Sequence, residues 1–230
     1  MADDTKDPKD SKATKVFGTL KDKLIARKID WARAGRRPAG GAGPANGDRL
    51  PPGQRQVKTW PVLDLGITPD LRIETWRLRV DGRVAHPLEW DWPTFLAQPQ
   101  SERLNDIHCV TAWSRYDNHW QGVAARHLVD LVKPLADAQH VVFHAHDGYT
   151  TNVALRYFDA DDVLIAHGWE GRPLAPEHGG PARIVLPRLY FWKSAKWIRR
   201  IEFLTADKPG FWETRGYHNR GDPWQEERYG

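Results

Sequence analysis

Residues 106–122 read DIHCVTAWSRYDNHWQG and contain Cys109, the only cysteine of the 230-residue chain. A lone thiol makes no intramolecular disulfide, and it cannot build the four-ligand cage of a structural zinc. Three readings stay open for it. The first is a small buried hydrophobe, the commonest fate of a free cysteine. The second is a nucleophile, for which adjacent His108 is badly placed as a base, because neighbours on a strand point to opposite faces. The third is a single thiolate ligand to a metal whose other ligands come from a non-protein cofactor. If the segment is extended, Thr111, Trp113 and Arg115 share the face of Cys109. A turn that brings Arg115 back would favour the thiolate, and Arg115 with Asn118 could then hold an anionic substrate.

Outward from this stretch, the chain is dominated by short strand patterns. On the N-terminal side Trp60–Leu65 is an apolar run, and Ile73–Val80 alternates with Trp76, Leu78 and Val80 on one face. Asp81-Gly82 follows as a hairpin turn before residues 83–86. Trp92-Pro93-Thr94 starts a short helix, and Cys109 falls on a strand or the loop after it. On the C-terminal side, residues 127–135 form a short helix limited by Pro134. Residues 141–146 are a strand that places His144 and His146 on one face. Residues 150–159 alternate again, and residues 163–166, 182–186 and 197–204 are further strands. The aromatic and polar C-terminal segment is an irregular cover. Strands dominate, helices are short, and no repeat or βαβ alternation appears. The fold class is α+β, built mainly of mixed or antiparallel sheet with short helices.

Composition narrows the function. No apolar run is long enough to span a membrane, and one cysteine rules out a disulfide-stapled scaffold and fits a reducing compartment. The net charge of +4 is uneven: residues 1–50 hold twelve Lys/Arg against seven Asp/Glu, leaving 22 against 23 for the rest. The basic balance belongs to the leader, so nucleic acid is not an expected partner of the body. Residues 1–15 read as a disordered tail. Residues 16–34 read as an amphipathic helix that could lie on an anionic membrane, on a partner or on the protein's own body. Residues 35–53 read as a Gly/Pro linker, dividing a leader (1–53) from a folded domain (54–230). Arg36-Arg37 is followed by PAGGAGPANGD instead of an apolar segment, so a twin-arginine export signal fails and a cytoplasmic location is expected.

Two other stretches carry site chemistry. In EHGGPARIVLP, Gly179 and Gly180 let backbone approach a ligand while His178 and Arg183 offer hydrogen bonds. In YFWKSAKW, Lys193, Ser194 and Lys196 bring two ammonium groups and a hydroxyl together as a phosphate cradle. There is neither a Walker A sequence nor a G-x-G-x-x-G.

The segments DIHCVTAWSRYDNHWQGV, DGYTTNVAL, GRPLAPEHGGPARIVLP and YFWKSAKW, in this order, resemble the molybdopterin-binding domain of the sulfite oxidase superfamily, in its small bacterial branch related to the methionine sulfoxide reductase catalytic subunit. The resemblance runs from about residue 50 to the C-terminus. It implies a Mo-molybdopterin cofactor with Cys109 as the thiolate on molybdenum. It also implies that His178 and Arg183 contact the pterin and its phosphate, and that Ser194, Ala195 and Lys196 close round the phosphate end. Tyr149 would stand beside the metal, and Arg115 would fall near the substrate-binding arginine. Ala145 would occupy a cofactor-contacting position, and the front of the pterin site would lie around residues 58–62. A soft thiolate suits a metal whose dithiolene ligands are also soft.

The implied reaction is two-electron oxygen-atom transfer on a small oxyanion, sulfoxide or similar substrate. Neither the immunoglobulin-like nor the haem domain of larger relatives is expected at this length, and one cysteine allows no Cys-x-x-Cys-His haem attachment in this sequence. Electrons would therefore be exchanged with a separate carrier, a haem protein, quinone or similar. Two other readings compete. One is a tryptophan-rich β module binding glycan or nucleic acid, since twelve tryptophans are many for this length, with Trp90 and Trp92 as its exposed platforms. The other is a metalloenzyme built on His144 and His146.

Overall fold

The computed structural model describes residues 8–34 and 49–230, with side chains of the first segment described from Lys21 onward. Residues 1–7 of the expected tail and 35–48 of the expected linker lie outside the described residues. The elements, in chain order, are α1 (Pro8–Arg33), β1 (Arg55–Gln56), β2 (Arg77–Gly82), β3 (Leu88–Asp91), α2 (Trp92–Leu96), β4 (Gln100–Cys109), β5 (Trp113–Ala124), α3 (Ala125–Val132), β6 (His140–Ala145), β7 (Thr150–Ala154), α4 (Leu155–Phe158), β8 (Leu164–Trp169), β9 (Arg172–Pro173), β10 (Arg183–Val185) and β11 (Ile198–Leu204), with single 3-10 turns between several of them.

The strands form two mixed sheets. Five strands run in the order β3-β2-β11-β6-β7, with β2 and β11 parallel and the other pairs antiparallel. The second sheet follows β1-β5-β8-β10, with β4 against β5 and β9 against β8. Alternation along its strands sends side chains to two different cores. Val123, Ile165 and Ile184 join Leu78, Phe143, Ile201 and Phe203 of the five-stranded sheet in one core. Leu164, Ala166 and Val185 face the other way, where Cys109, Trp113, Trp120, Trp192, Trp212 and Tyr217 pack with Ile25, Ile29 and Ala32 of α1. Because β8 is covered on both faces, it reads as a nearly continuous apolar run.

Stretch 106–122 folds as the β4–β5 hairpin, paired from Gln100↔Val123 to Cys109↔Trp113. Three local expectations are corrected. Asp81-Gly82 is the end of β2, not the turn, because both residues pair with Glu202 and Phe203 of β11. Residues 150–159 are not one strand: β7 stops at Ala154 and four residues of α4 follow. Residues 8–15, expected in a disordered tail, belong to α1. The helix expected at Trp92-Pro93-Thr94 forms as α2, with the Asp91 carboxylate accepting from the Thr94 amide at 2.9 Å.

Candidate active site

Cys109 ends β4, and the chain reverses through Val110 and Thr111 to Ala112, which sits at φ 65°. The Ala112 amide donates to the Cys109 carbonyl at 3.0 Å, closing the turn. Remote segments pin this loop. Gln54 Nε2 donates to the Cys109 carbonyl at 3.1 Å, and the buried Arg228 guanidinium donates to the carbonyls of Val110 (2.8 Å) and Pro52 (3.2 Å). The turn leaves Thr111 Oγ1 3.2 Å from Cys109 Sγ, and burial pushes the thiol's pKa up. His108 points to the opposite face, where its Nδ1 lies 2.8 Å from Ser114 Oγ. Burial lowers its pKa to about 4, so it offers the thiol no base.

The thiol opens into a cavity with about 910 Å³ of space free of protein atoms, counting the part open to solvent. That is within the range of small-molecule and cofactor sites. Segments distant in sequence line it: Lys28 of α1, the loop from Trp60 to Leu65, the Cys109–Trp113 turn, Asp147 and Tyr149 after β6, His178 to Lys196 around β10, and Trp212 with Tyr217 near the C-terminus. Tyr149 donates its hydroxyl to the Trp192 carbonyl at 2.6 Å. Its pKa is raised well above the ordinary value by burial and by Glu213, so the phenol stays neutral. His178 stacks flat on Trp60, centroids 3.8 Å apart and planes at 7°. Burial and the charges of Arg183 and Lys196 lower its pKa to about 4, so this ring is also neutral at pH 7.

Three cations face this space and form no salt bridge among the described residues, with the Asp64 and Asp147 carboxylates lining the same space at longer range. Arg183, 2% exposed, donates only to carbonyls, those of His178 (2.7 Å), Ser194 (2.8 Å) and Ile184 (3.3 Å), and lies over the Phe191 ring at 4.3 Å. Desolvation lowers its pKa to about 9. Lys196 donates to the Glu177 carbonyl at 2.7 Å, and burial with the charge of Arg183 lowers it to about 8. Lys28 donates to the Asp64 carbonyl at 2.6 Å, and burial lowers its pKa too. Gly179, at φ 106°, lets Arg183 and Lys196 approach each other: a Cβ there would stand 3.0 Å from Lys196 Cβ and 3.2 Å from Arg183 Cβ. A buried cation without a salt bridge is costly, so Arg183, with Lys196 and Lys28 half-buried on the same space, suits an anionic occupant, and the soft thiol beside it suits a transition metal.

Six of the nine residues named from the sequence, Cys109, Tyr149, His178, Arg183, Ser194 and Lys196, converge on the cavity. Three do not. Arg115 is turned away: it donates to Asn118 Oδ1 at 2.5 Å, to Glu170 Oε1 at 3.1 Å and to the Lys58 carbonyl at 3.3 Å, and lies over Trp169. Asn118 is fully buried and spends its amide on backbone carbonyls. Ala145 holds sheet geometry, its amide donating to the Tyr149 carbonyl at 2.9 Å. Ala195 points into the core between the sheets because residues 194 and 196 take the cavity side. Lys193 also leaves the expected cradle: its ammonium is fully buried against Glu213 at 2.6 Å. At the front of the site, Trp60 and Pro61 line the cavity and Lys58 does not.

The competing readings lose their footing. His144 is 2.9 Å from Glu202, and no group of three metal-ligating side chains gathers among the described residues. Trp90 is buried, Trp92 packs on the main core, and Trp224 is the only tryptophan among the described residues that is exposed, at 44%. Sequence reasoning missed Lys28, Asp147, Trp212, Tyr217 and Arg228, which come from the leader, a turn and the C-terminal cover and carry no motif.

Comparison with known proteins agrees with this geometry. Residues 65–212 match the family described as the oxidoreductase molybdopterin binding domain. The chain is 48% identical over 182 residues to an uncharacterized oxidoreductase, YuiH, of Bacillus subtilis, covering 79% of this chain and 92% of that protein. It is 31% identical to the catalytic subunit of the protein-methionine-sulfoxide reductase of Burkholderia mallei (63% of this chain, 48% of that one), and 26% identical to that of Campylobacter jejuni (65% and 56%). The chain thus spans about half the length of these two reductase subunits. The crystal structure of the sulfane dehydrogenase SoxCD from Paracoccus pantotrophus shares the fold, with a TM-score of 0.56 at 19% identity over 60% of this chain and 40% of that one. With residues 65–212 matched, and with a cavity that joins one soft thiol to three cations that form no salt bridge among the described residues, this chain is a member of the oxidoreductase molybdopterin-binding domain family, an enzyme whose cofactor is molybdopterin.

Proposed function

We propose that the cavity holds Mo-molybdopterin with Cys109 as the protein's thiolate ligand, and that the enzyme moves an oxygen atom, together with two electrons, to or from a small substrate. The observation that carries this reading is the convergence on one cavity of the only thiol and three cations that form no salt bridge among the described residues. When bound, the cofactor supplies a metal that changes oxidation state by two and exchanges an oxygen atom with substrate and water.

The chain's residues bind and orient. Arg183 and Lys196, with the Ser194 hydroxyl, are fixed donors for a phosphate. The Ser194 oxygen already accepts from the Leu186 amide at 2.9 Å, which leaves its proton free to donate outward. The stacked Trp60–His178 pair is a flat wall for a pterin. Tyr149 keeps its proton, which it donates to the Trp192 carbonyl, and lines the cavity. Trp212, Tyr217 and α1 exclude water from the thiol side. In the reducing direction the balance is substrate oxide, two electrons and two protons giving reduced substrate and water; oxidation is the reverse.

The electrons come from or go to a separate carrier, a haem protein, a quinone or similar, a reading supported by relatives named as catalytic subunits. Those names also make a sulfoxide the first substrate to try, with sulfite as its oxyanion counterpart. The test is turnover by protein purified from a host that makes the cofactor, assayed with sulfite and an artificial acceptor and with sulfoxides and N-oxides against a reduced dye. Turnover in one direction, lost in Cys109→Ser, is expected. Molybdenum-loaded protein that turns over none of these would contradict oxygen-atom transfer.

A further inference from the structure

Helix α1 lies outside the matched residues 65–212, yet it roofs the thiol side of the cavity. Lys21, Ile25, Lys28, Ile29 and Ala32 recur at helical spacing on its covered face, while the residues between them are exposed except for half-buried Trp31. Ile25 and Ile29 pack in the cluster that contains Cys109, and Ala32 is 2% exposed. The C-terminal cover clamps the helix: Tyr217 donates its hydroxyl to the Lys28 carbonyl at 3.1 Å, and Arg33 donates to the Tyr229 hydroxyl at 2.6 Å.

This seating fixes one charge over the thiol loop. An ammonium has three donors, and the Asp64 carbonyl takes one of those on Lys28. The Trp212 ring stands 5.9 Å from it, and no carboxylate among the described residues forms a salt bridge with it, Asp64 acting only at longer range. Arg183 and Lys196 are held by the carbonyls of His178 and Glu177, Arg115 is paired with Glu170 outside the cavity, and Lys28 is the cation that the helix seats on the side of Cys109. Lys28 is the cation left for whatever enters between the helix and the Cys109–Trp113 turn.

We propose that Lys28 is a substrate-binding residue whose ammonium holds a free, small anion, a carboxylate or sulfur oxyanion, under helix α1 and beside the thiol loop. The inference rests on the reading of the cavity as an oxygen-atom-transfer site and narrows its substrate class. A helix packed over the thiol side of the cavity favours a free small molecule over a side chain within a folded protein, and a half-buried ammonium discriminates by charge.

The test uses cofactor-loaded protein, wild type, Lys28→Met and Lys28→Arg, with sulfate as an unreactive anionic probe and dimethyl sulfoxide as a neutral one. Calorimetric titration should show sulfate binding weakened about tenfold or more in Lys28→Met, as expected for a lost charge-assisted hydrogen bond, and largely restored in Lys28→Arg. Binding of dimethyl sulfoxide and the molybdenum and pterin content should not change. In turnover, KM for an anionic substrate should rise with kcat nearly constant. Unchanged sulfate affinity in Lys28→Met would overturn the proposal, and so would loss of cofactor, which would place Lys28 at the cofactor instead. Lys28-dependent sulfate binding by a protein with no oxygen-transfer turnover would uphold the anion site while removing the reaction assigned to the cavity.

Discussion

Arg115 and His108 flank the thiol in sequence, and both are spent elsewhere in space. Arg115 bonds to Asn118, Glu170 and the Lys58 carbonyl. Arg115→Ala should therefore leave KM for an anionic substrate within about twofold, since a residue outside the cavity supplies no substrate binding. Its cost should appear in unfolding, at about 1 kcal/mol for a partly exposed pair. His108, buried with its pKa lowered to about 4 by desolvation, takes up fewer protons folded than unfolded, where its pKa is about 6.5. Its contribution is thus intact above about pH 6.5 and lost as the pH falls towards 4. Urea unfolding at pH 7 and pH 5 should differ by about 2 kcal/mol more in wild type than in His108→Gln. Equal pH dependence would mean that His108 takes up its proton in the folded protein as readily as in the unfolded chain. Cys109 was legible in the sequence because four ordered motifs surround it. Lys28 was not, because an amphipathic helix in a basic leader shows which face is covered and not what covers it.

Among elements, the strands with clear alternation, β2, β6 and β11, could be read directly, and their partners could not. Asp81-Gly82 has turn chemistry, but the parallel partner β11 extends β2 through it. Arg200 donates to Asp81 at 2.9 Å, and a Cβ on Gly82 would stand 2.2 Å from the Phe203 carbonyl oxygen. Gly122 is a similar case within the opening stretch: β5 and β8 shift register between Gln121 and Gly122, and a Cβ there would meet the Ile165 carbonyl oxygen at 2.2 Å. Gly122→Ala should cost about 2 kcal/mol in chemical denaturation, because backbone and not a flexible side chain must move. A neutral result would mean that β8 is free to shift. Helix α4 escaped reading because four residues containing Leu155 and Tyr157 mimic the strand before them.

At the scale of the whole molecule, the cavity exists only because the leader helix, two loops, the β4–β5 hairpin and the C-terminal cover meet over one face of the six-stranded sheet. No single segment announces that closure. The cover is anchored by Lys193, whose ammonium bonds to Glu213 at 2.6 Å and to the Asn152 carbonyl at 2.8 Å, while Glu213 also accepts from Thr151 and Trp192. Lys193→Met strands a buried carboxylate, so unfolding measurements should show a loss of about 3–5 kcal/mol. If the loss is under 1 kcal/mol, the cover is held by its aromatic packing alone. The central claim is that the thiol of Cys109 binds the cofactor's metal in this cavity. X-ray absorption at the molybdenum edge of purified wild type and Cys109→Ser tests it directly: one sulfur neighbour fewer in the variant is the predicted result, and an unchanged sulfur shell would contradict it.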